Sequence, residues 1–425
     1  MEGDTEKTHF PGELQERRAV VMGIGRFGGG VAAVRHLVQA GASVIATDVA
    51  DAETLSDSLA ELADLDVTFH LGGHRNDDFE QADLVIVNPA VPRPWENSYL
   101  AVARESGARI LTEIRLAIGD RPATNIIGIT GTAGKSTTAA MVHHALARVR
   151  PDLDPVLSGN IGGSLLADPP SPDSSLVLEL SSFMLHWLAG DGGSPEDRAT
   201  PGIAAITNIA PNHLDWHGDL QHYDRCKRSI AEPSPACEHP LLVDNGDATV
   251  RSVIPIALPG GHNQINAQLA VRIAFEHLRL RDPESVDEAL HDALRGSLES
   301  FKGLPHRLES LGRANGAEVF NDSKSTTPEA TLLAVEAFAN PERIHLIAGG
   351  YDKGADLVPI AGLASSLAGL HVIGETGPRL AASGGVLHAC IDDAVDAIFD
   401  RCREGDVILL SPGCASWDQF KNYEE

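Results

Sequence analysis

Lysine is scarce in this chain: seven residues (Lys7, Lys135, Lys227, Lys302, Lys324, Lys353, Lys421) stand against 26 arginines in 425 residues. Wherever any cation would serve, the sequence uses arginine. The retained lysines therefore suit work a guanidinium cannot do, either a compact charge on a phosphate or an amine that must lose its proton. Positive charge is short overall, and a formal net charge of −27 excludes a basic face for a nucleic-acid backbone. An anionic ligand must be met by a local cluster instead. No apolar run reaches the length of about 18 residues that suggests a membrane span, and no charged-then-apolar leader opens the chain, so a cytoplasmic location is expected. Cysteine is also sparse. Cys226, Cys237, Cys390, Cys402 and Cys414 form no Cys-x-x-Cys pair, which fits reduced thiols better than a disulfide frame or a zinc site.

What the sequence does contain is organised around Ile127-Gly128-Ile129-Thr130-Gly131-Thr132-Ala133-Gly134-Lys135-Ser136-Thr137-Thr138. An apolar β-like run turns through glycines into a helix start, the arrangement of a phosphate cradle. Glycines let successive N–H groups converge on an anion, the helix N-terminus adds its dipole, and Lys135 adds a full charge. Ser136 is then placed to hold a metal ion. The strict nucleotide-loop pattern asks for glycine five residues before Gly134, where Ile129 stands. The alternative is a chance Gly/Thr turn before a buried helix.

At about 150 residues per domain the length suggests three. Residues 1–16 are polar and aperiodic and read as a loose arm. A β-like run then ends in Gly23-Ile24-Gly25-Arg26-Phe27-Gly28, with Asp48 twenty residues past the last glycine at the end of a second strand. This is a Gly-x-Gly-x-x-Gly fingerprint of a Rossmann-like unit, specific for the turn but weak for the ligand. The first domain is placed at 1–111, the second at 112–303 and the third at 304–425.

In the second domain, Leu176-Val177-Leu178-Glu179 puts an acid at a strand end, where open parallel sheets bind ligands. Glu179 is a metal-ligand candidate or, more plainly, a carboxylate at the N-terminus of the next helix. His213 follows the buried strand Ile203–Ile206 and is a metal-ligand candidate or a structural histidine. Lys227 lies in a helix-like segment with no pattern to decide its role. The Gly/Pro/Asp-rich stretch Gly190–Thr200 reads as a mobile loop, and Gly260-Gly261-His262-Asn263-Gln264-Ile265-Asn266 opens a long helix. In the third domain, strand ends empty into Asn321-Asp322-Ser323-Lys324-Ser325-Thr326, Gly349-Gly350-Tyr351-Asp352-Lys353 and Ser411-Pro412-Gly413-Cys414-Ala415-Ser416. Alternating strands and helices imply a parallel sheet there too. The expected fold is α/β throughout: a Rossmann-like N-terminal domain, a central P-loop ATPase-like parallel-sheet domain and a C-terminal Rossmann-like domain.

Taken in order, nine stretches resemble the Mur ligase family of ATP-dependent amide-forming enzymes in peptidoglycan precursor synthesis, and within it the branch that adds D-glutamate. They are Gly-Thr-x-Gly-Lys-Ser-Thr, Gly-Asn-Ile-Gly, Leu-Glu-Leu-Ser-Ser-Phe, Asn-x-x-x-x-His-Leu-Asp, His-Asn-x-x-Asn, Leu-Pro-His-Arg, Asn-Asp-Ser-Lys-x-Thr, Gly-Gly-x-x-Lys-Gly and Ser-Pro-x-x-Ala-Ser-x-Asp-Gln-Phe. The resemblance implies that Gly131, Thr132, Gly134, Lys135, Ser136 and Thr137 bind ATP, with Asn266, Arg307 and Asp322. It implies two Mg2+ sites drawing on Ser136, Glu179, His213 and a Lys227 carbamylated by carbon dioxide. Lys324 would lie near the transferred phosphate. Gly25, Asp48 and Asn160 would contact UDP-N-acetylmuramoyl-L-alanine, and Thr326, Lys353, Ser416 and Tyr423 the incoming D-glutamate. The chemistry implied is formation of an acyl phosphate followed by attack of the D-glutamate amine, with the third domain swinging onto the second, in a monomeric enzyme that needs neither nucleic acid nor membrane.

Departures from the pattern are specific. Ala133 stands where the family usually has Asn, Val49-Ala50 follows Asp48, and Tyr423 replaces a common Phe. The chain ends at Glu425, where family members continue. Rival readings are a Mur ligase for another amino acid, which would carry an Asp-Asn-Pro-Arg-like stretch, and folylpolyglutamate synthase, which lacks the Gly23-x-Gly25 domain. A zinc-ribbon amidotransferase relative needs four clustered cysteines. An NAD-dependent oxidoreductase is suggested by the first domain alone, and an inactive nucleotide-binding regulator by Ala133.

Overall fold

The computed structural model describes residues 14–26, 28–190, 192–244, 253–352 and 354–420. Its chain forms two compact units: one holds the chain up to Ala248 together with Gln268–Ser297, the other Thr249–Ala267 and the chain from Leu298 onward. The first unit contains two sheets and the second unit one. Among the described residues no helix is long and apolar enough to cross a membrane.

The first sheet is built from β1 (Arg18–Met22), β2 (Ser43–Asp48), β3 (Val67–Leu71), β4 (Leu84–Val87) and β5 (Arg109–Leu111), all parallel in the order β3-β2-β1-β4-β5. The central strands are apolar without interruption because both faces are covered. Alternate residues of β1 enter opposite cores: Ala19 and Val21 pack with Val34, Leu37 and Ala46, whereas Val20 and Met22 pack with Phe79, Val85 and Leu100. Strand order reverses between β1 and β4, which places the glycine turn at the crevice where such sheets take ligands. Close approach of helix to strand in this turn is made at Gly30, where an added Cβ would sit 2.2 Å from the Ile24 carbonyl oxygen.

The second sheet is also parallel: β6 (Ile126–Thr130), β7 (Val156–Gly159), β8 (Leu176–Glu179), β9 (Ile203–Ile206) and β10 (Leu241–Asp244), in the order β10-β9-β6-β8-β7. With β6 in the middle, the carboxyl ends of β8 and β9 flank the loop that β6 feeds. Ile129 is level with Glu179, and Thr130 with Ile206.

The third sheet contains β11 (Glu309–Ala314), β12 (Ala317–Asn321), β13 (Ile344–Gly349), β14 (Gly369–Ile373), β15 (Val386–Leu387) and β16 (Val407–Leu410), in the order β11-β12-β16-β13-β14-β15. It is mixed rather than wholly parallel as expected, because β11 pairs antiparallel with β12. The cause is local: Asn315 and Gly316 both take positive φ, 50° and 86°, and fold the chain straight back into a hairpin.

A second expectation fails at Gly190–Thr200. Apart from Asp191, which lies outside the described residues, this stretch is tied down rather than mobile. Asp197 is 3 % exposed, accepts from Arg109 Nε at 2.8 Å, and its backbone carbonyl accepts from Arg115 Nε at 2.6 Å. One residue thereby joins β5 and the following helix Glu113–Ile118 to the loop before β9. Trp187 adds an apolar contact by packing into the core beneath the first sheet. Replacing Asp197 by Asn removes the carboxylate that Arg109 bonds and that offsets part of the charge of the buried Arg115. The expected result is a loss of about 1–3 kcal/mol in urea unfolding, and an unchanged midpoint would show that the anchor carries no stability.

Candidate active site

Two glycines with positive φ shape the loop after β6. Gly131 has φ 146° and Gly134 φ 80°, and a Cβ added at Gly131 would lie 1.9 Å from Thr207 Oγ1. The same closeness lets Thr207 Oγ1 donate to the Ala133 carbonyl at 2.5 Å. Asn208 then brackets the Ala133 peptide, its Oδ1 accepting from Ala133 N and its Nδ2 donating to Ala133 O, each at 3.0 Å. Thr132 N donates to Asn208 O at 2.9 Å. The loop is therefore held from the β9 side, and the short side chain of Ala133 leaves no gap in that bonding. Lys135 closes the turn with Nζ donating to Thr132 O at 2.9 Å. The helix Lys135–Val149 begins here, with Ser136 buried and Thr137 in its first turn.

Glu179 ends β8 beside this loop and is 1 % exposed. Its Oε1 accepts from Asn160 Nδ2 at 3.1 Å, while Oε2 is buried with no hydrogen-bond partner among the described residues. A carboxylate oxygen sealed from water without a donor is costly unless a cation meets it. Asn160 also donates its backbone N–H to the Glu179 carbonyl at 2.8 Å, so in this state it positions the acid.

Lys227, from the helix Leu220–Arg228, is 2 % exposed. Its Nζ donates to the Gly131 carbonyl at 2.7 Å and lies 4.8 Å above the Tyr223 ring. Burial, with Lys135 nearby, pushes its amine down to about 7 against weaker opposing pulls from Cys226 and Glu179. At neutral pH a large share of this amine is unprotonated. Tyr223 in turn bonds Thr132 Oγ1 at 2.8 Å, so the loop and the lysine are held by one network.

His213 sits in the left-handed region at φ 52° ahead of the short helix Leu214–His217. The residue is exposed overall, yet its ring stacks edge-on against Phe183 at 5.0 Å. Partial desolvation lowers its pKa, opposed by Asp215 and assisted by the charges of Lys135 and Lys227. The Ser136 hydroxyl and Glu179 Oε2 are oxygen donors of the kind Mg2+ takes, and the orphaned Oε2 fits a bound cation.

In the first domain, Asp48 is committed within the turn: its Oδ2 accepts from Gly25 N at 3.1 Å and its Oδ1 from Ala50 N at 2.9 Å. In the second unit, Asp322 is 4 % exposed and accepts from Leu308 N at 3.1 Å and Ser411 Oγ at 2.8 Å. Burial raises its pKa, opposed by hydrogen bonds from Ser325, Ser411 and Leu308 and by the Arg307 charge. Arg307 Nε is buried with no hydrogen-bond partner among the described residues. Lys324 and Thr326 follow β12, and Asn266 is buried near the start of the helix Gly261–Arg281, its Nδ2 donating to Asn263 Oδ1 at 3.4 Å. A cavity of about 150 Å³ is lined by His306, Asn321, Ser323, Gly350, Ser416 and Phe420. Lys353 and Tyr423 lie outside the described residues.

The structure thus gathers Gly131, Thr132, Gly134, Lys135, Ser136, Thr137, Asn160, Glu179, His213 and Lys227 at one end of the second sheet. Sequence reasoning assigned no role to Thr207, Asn208 or Tyr223. The signal was available for the first two, which directly follow a buried strand flanking the loop.

Comparison with known proteins gives three family matches along the chain. Residues 17–112 match the Mur ligase MurD-like N-terminal domain, 129–254 the Mur ligase middle domain and 306–414 the Mur ligase glutamate ligase domain. A relative from Roseiflexus sp., named UDP-N-acetylmuramoylalanine--D-glutamate ligase, is 34 % identical with 96 % of both chains covered. One of the same name from Trichlorobacter lovleyi is 34 % identical over 97 % of both. In fold the chain is similar to the UDP-N-acetylmuramate-alanine ligase MurC of Thermotoga maritima, with TM-score 0.55, 21 % identity, and 94 % of this chain and 96 % of that one covered.

The half-bonded Glu179 makes a direct test. Glu179→Gln removes a buried charge, so in chelator its melting midpoint should equal or exceed that of the parent, while the added stability conferred by Mg2+ with nucleotide should fall at least about tenfold in apparent affinity. A Mg2+ titration indistinguishable from the parent's would remove Glu179 from the metal site.

Proposed function

The chain belongs to the Mur ligase family, and on that premise we propose that it joins D-glutamate to UDP-N-acetylmuramoyl-L-alanine with conversion of ATP to ADP and phosphate. The observation that carries the reading is the meeting, at one sheet edge, of the Lys135 loop, the half-bonded Glu179 and the near-neutral amine of Lys227. The glutamate ligase domain match at 306–414 and the names of the full-length relatives support D-glutamate as the acceptor.

The reaction joins two anions, and the residues are arranged for that problem. A carboxylate oxygen of the muramoyl-alanine substrate attacks the γ-phosphorus of ATP, the bond to the bridging oxygen breaks, and ADP leaves. Lys135 and the N–H groups of the glycine loop hold the phosphates in line. Divalent metal held by Ser136, Glu179 and His213 would supply charge neutralisation to the transferring phosphoryl group. The D-glutamate nitrogen then attacks the acyl-phosphate carbon, loses a proton, and phosphate departs as the amide forms. Thr326 and Ser416, with Lys353 and Tyr423, are assigned to this second half, Lys324 to the transferred phosphate, and Asn266, Arg307 and Asp322 to the nucleotide. Gly25, Asp48 and Asn160 are assigned to the UDP substrate. Asp48 now serves it by holding the Gly25 amide in place.

Lys227 is assigned a carbamate. Its unprotonated Nζ adds to the carbon of CO2 and releases one proton, turning a would-be cation into an anionic oxygen ligand for a second metal. The hydrogen left on nitrogen still satisfies the Gly131 carbonyl. Arginine cannot make this group, which accounts for a lysine in a chain that otherwise prefers arginine. The same reading places a monomer acting on soluble substrates in the cytoplasm.

Phosphate release from ATP with UDP-N-acetylmuramoyl-L-alanine should depend on D-glutamate, and equal stimulation by L-glutamate, or by no amino acid, overturns the proposal. Lys227→Ala should lose at least about a hundredfold in kcat and recover part of it with short carboxylic acids. No recovery in a variant with a parental melting curve removes the carbamate. With enzyme stripped of CO2 and then held at constant CO2 pressure, reactivation should grow as pH rises through about 7, because the neutral amine is the reacting form. A flat profile speaks against an amine held near that value.

A further inference from the structure

Three side chains scattered in sequence meet beside the helix that carries Lys227. His186 belongs to the helix Ser182–Leu188 that follows Glu179, and His222 and Cys226 lie four residues apart on Leu220–Arg228. That i, i+4 spacing puts both on one face. One ligand atom from each of the three lies within 4.8 Å of the others. The Cys226 sulfur is 3.6 Å from His222 Nε2, close to the roughly 3.5 Å that separates nitrogen and sulfur ligands on one tetrahedral metal. His186 and Cys226 are each 4 % exposed, while His222 is half-buried.

We propose that His186, His222 and Cys226 form a zinc site, separate from the phosphate-loop metal site, with water completing the tetrahedron on the exposed side of His222. Two imidazoles and a thiolate are the borderline-soft donors Zn2+ selects over Mg2+. On binding, the Cys226 thiol gives up its proton to solvent and the sulfur takes the metal. Outer contacts orient the donors. His217 Nδ1 is 2.8 Å from His222 Nδ1, and His217 Nε2 is 2.9 Å from Ser182 Oγ. With His217 donating to Ser182 and accepting from His222, the His222 Nε2 lone pair faces Cys226, the tautomer a metal requires. Trp95 packs its ring 4.6 Å from His222 and 5.6 Å from His186, and Trp216 lies 5.5 Å from His186, which limits water around the cluster. Zinc here would pin the helix bearing Lys227 to the helix after Glu179.

Cobalt titration of the full-length chain, stripped with chelator under reducing conditions, tests this without any activity readout. One equivalent of Co2+ should give a thiolate-to-metal absorption band and intense four-coordinate visible bands, quench tryptophan emission, and be displaced by Zn2+. The phosphate-loop site has no thiol, so it cannot supply the thiolate band. Cys226→Ser should abolish that band, and His222→Ala should weaken binding by at least about a hundredfold while both variants melt cooperatively. Absence of a thiolate band in the parent protein, or its persistence in Cys226→Ser, overturns the proposal.

Discussion

The bond from Lys227 Nζ to the Gly131 carbonyl, 2.7 Å long and sealed from water, is the interaction on which the site depends. It seats an amine directly beneath the loop that turns toward phosphate. Burial and the neighbouring Lys135 drive that amine to about 7 from its ordinary 10.5. The linkage has a definite sign. An unfolded lysine holds its proton up to its ordinary value, so the destabilisation is complete below about pH 7 and is relieved as pH rises toward 10.5. The fold thus gives up stability at neutral pH to keep a nucleophilic nitrogen. Tyr223, Thr132, Thr207 and Asn208 hold the surrounding backbone so that the geometry persists.

Glu179 repeats the same economy with opposite charge. One carboxylate oxygen is fastened by Asn160 and the other is left unbonded in the interior. A buried anion and a buried amine that both lack full compensation make sense together as a place prepared for cations and for the oxygen ligands that hold them. Parallel sheets make such preparation possible because neighbouring strands release their chains at the same edge. Here β6, β8 and β9 deliver the loop, the acid and the Thr207-Asn208 brace side by side.

Much of this was legible beforehand. The glycine loop, Glu179 at a strand end and His213 past another follow from local pattern, since uninterrupted apolar runs of four to five residues mark strands buried on both faces. What misled was equally physical. The antiparallel β11 is largely exposed and carries no apolar run, and its hairpin turns on Asn315-Gly316 alone. The stretch Gly190–Thr200 has the composition of a mobile loop, yet Asp197 buries its carboxylate against Arg109, 88 positions earlier, which composition does not register.

The sequence by itself determined the three α/β sheets, the phosphate loop and the family, because these rest on contiguous residues whose periodicity and spacing are local. Only the tertiary structure decided the state of Lys227, the unbonded oxygen of Glu179 and the brace that Asn208 supplies beside Ala133. It also decided the fate of the scattered cysteines: Cys226 has no cysteine near it in sequence, but two packed helices bring it to His186 and His222. Desolvation and ligand geometry are properties of what surrounds an atom, and for these residues most of the surroundings come from distant parts of the chain.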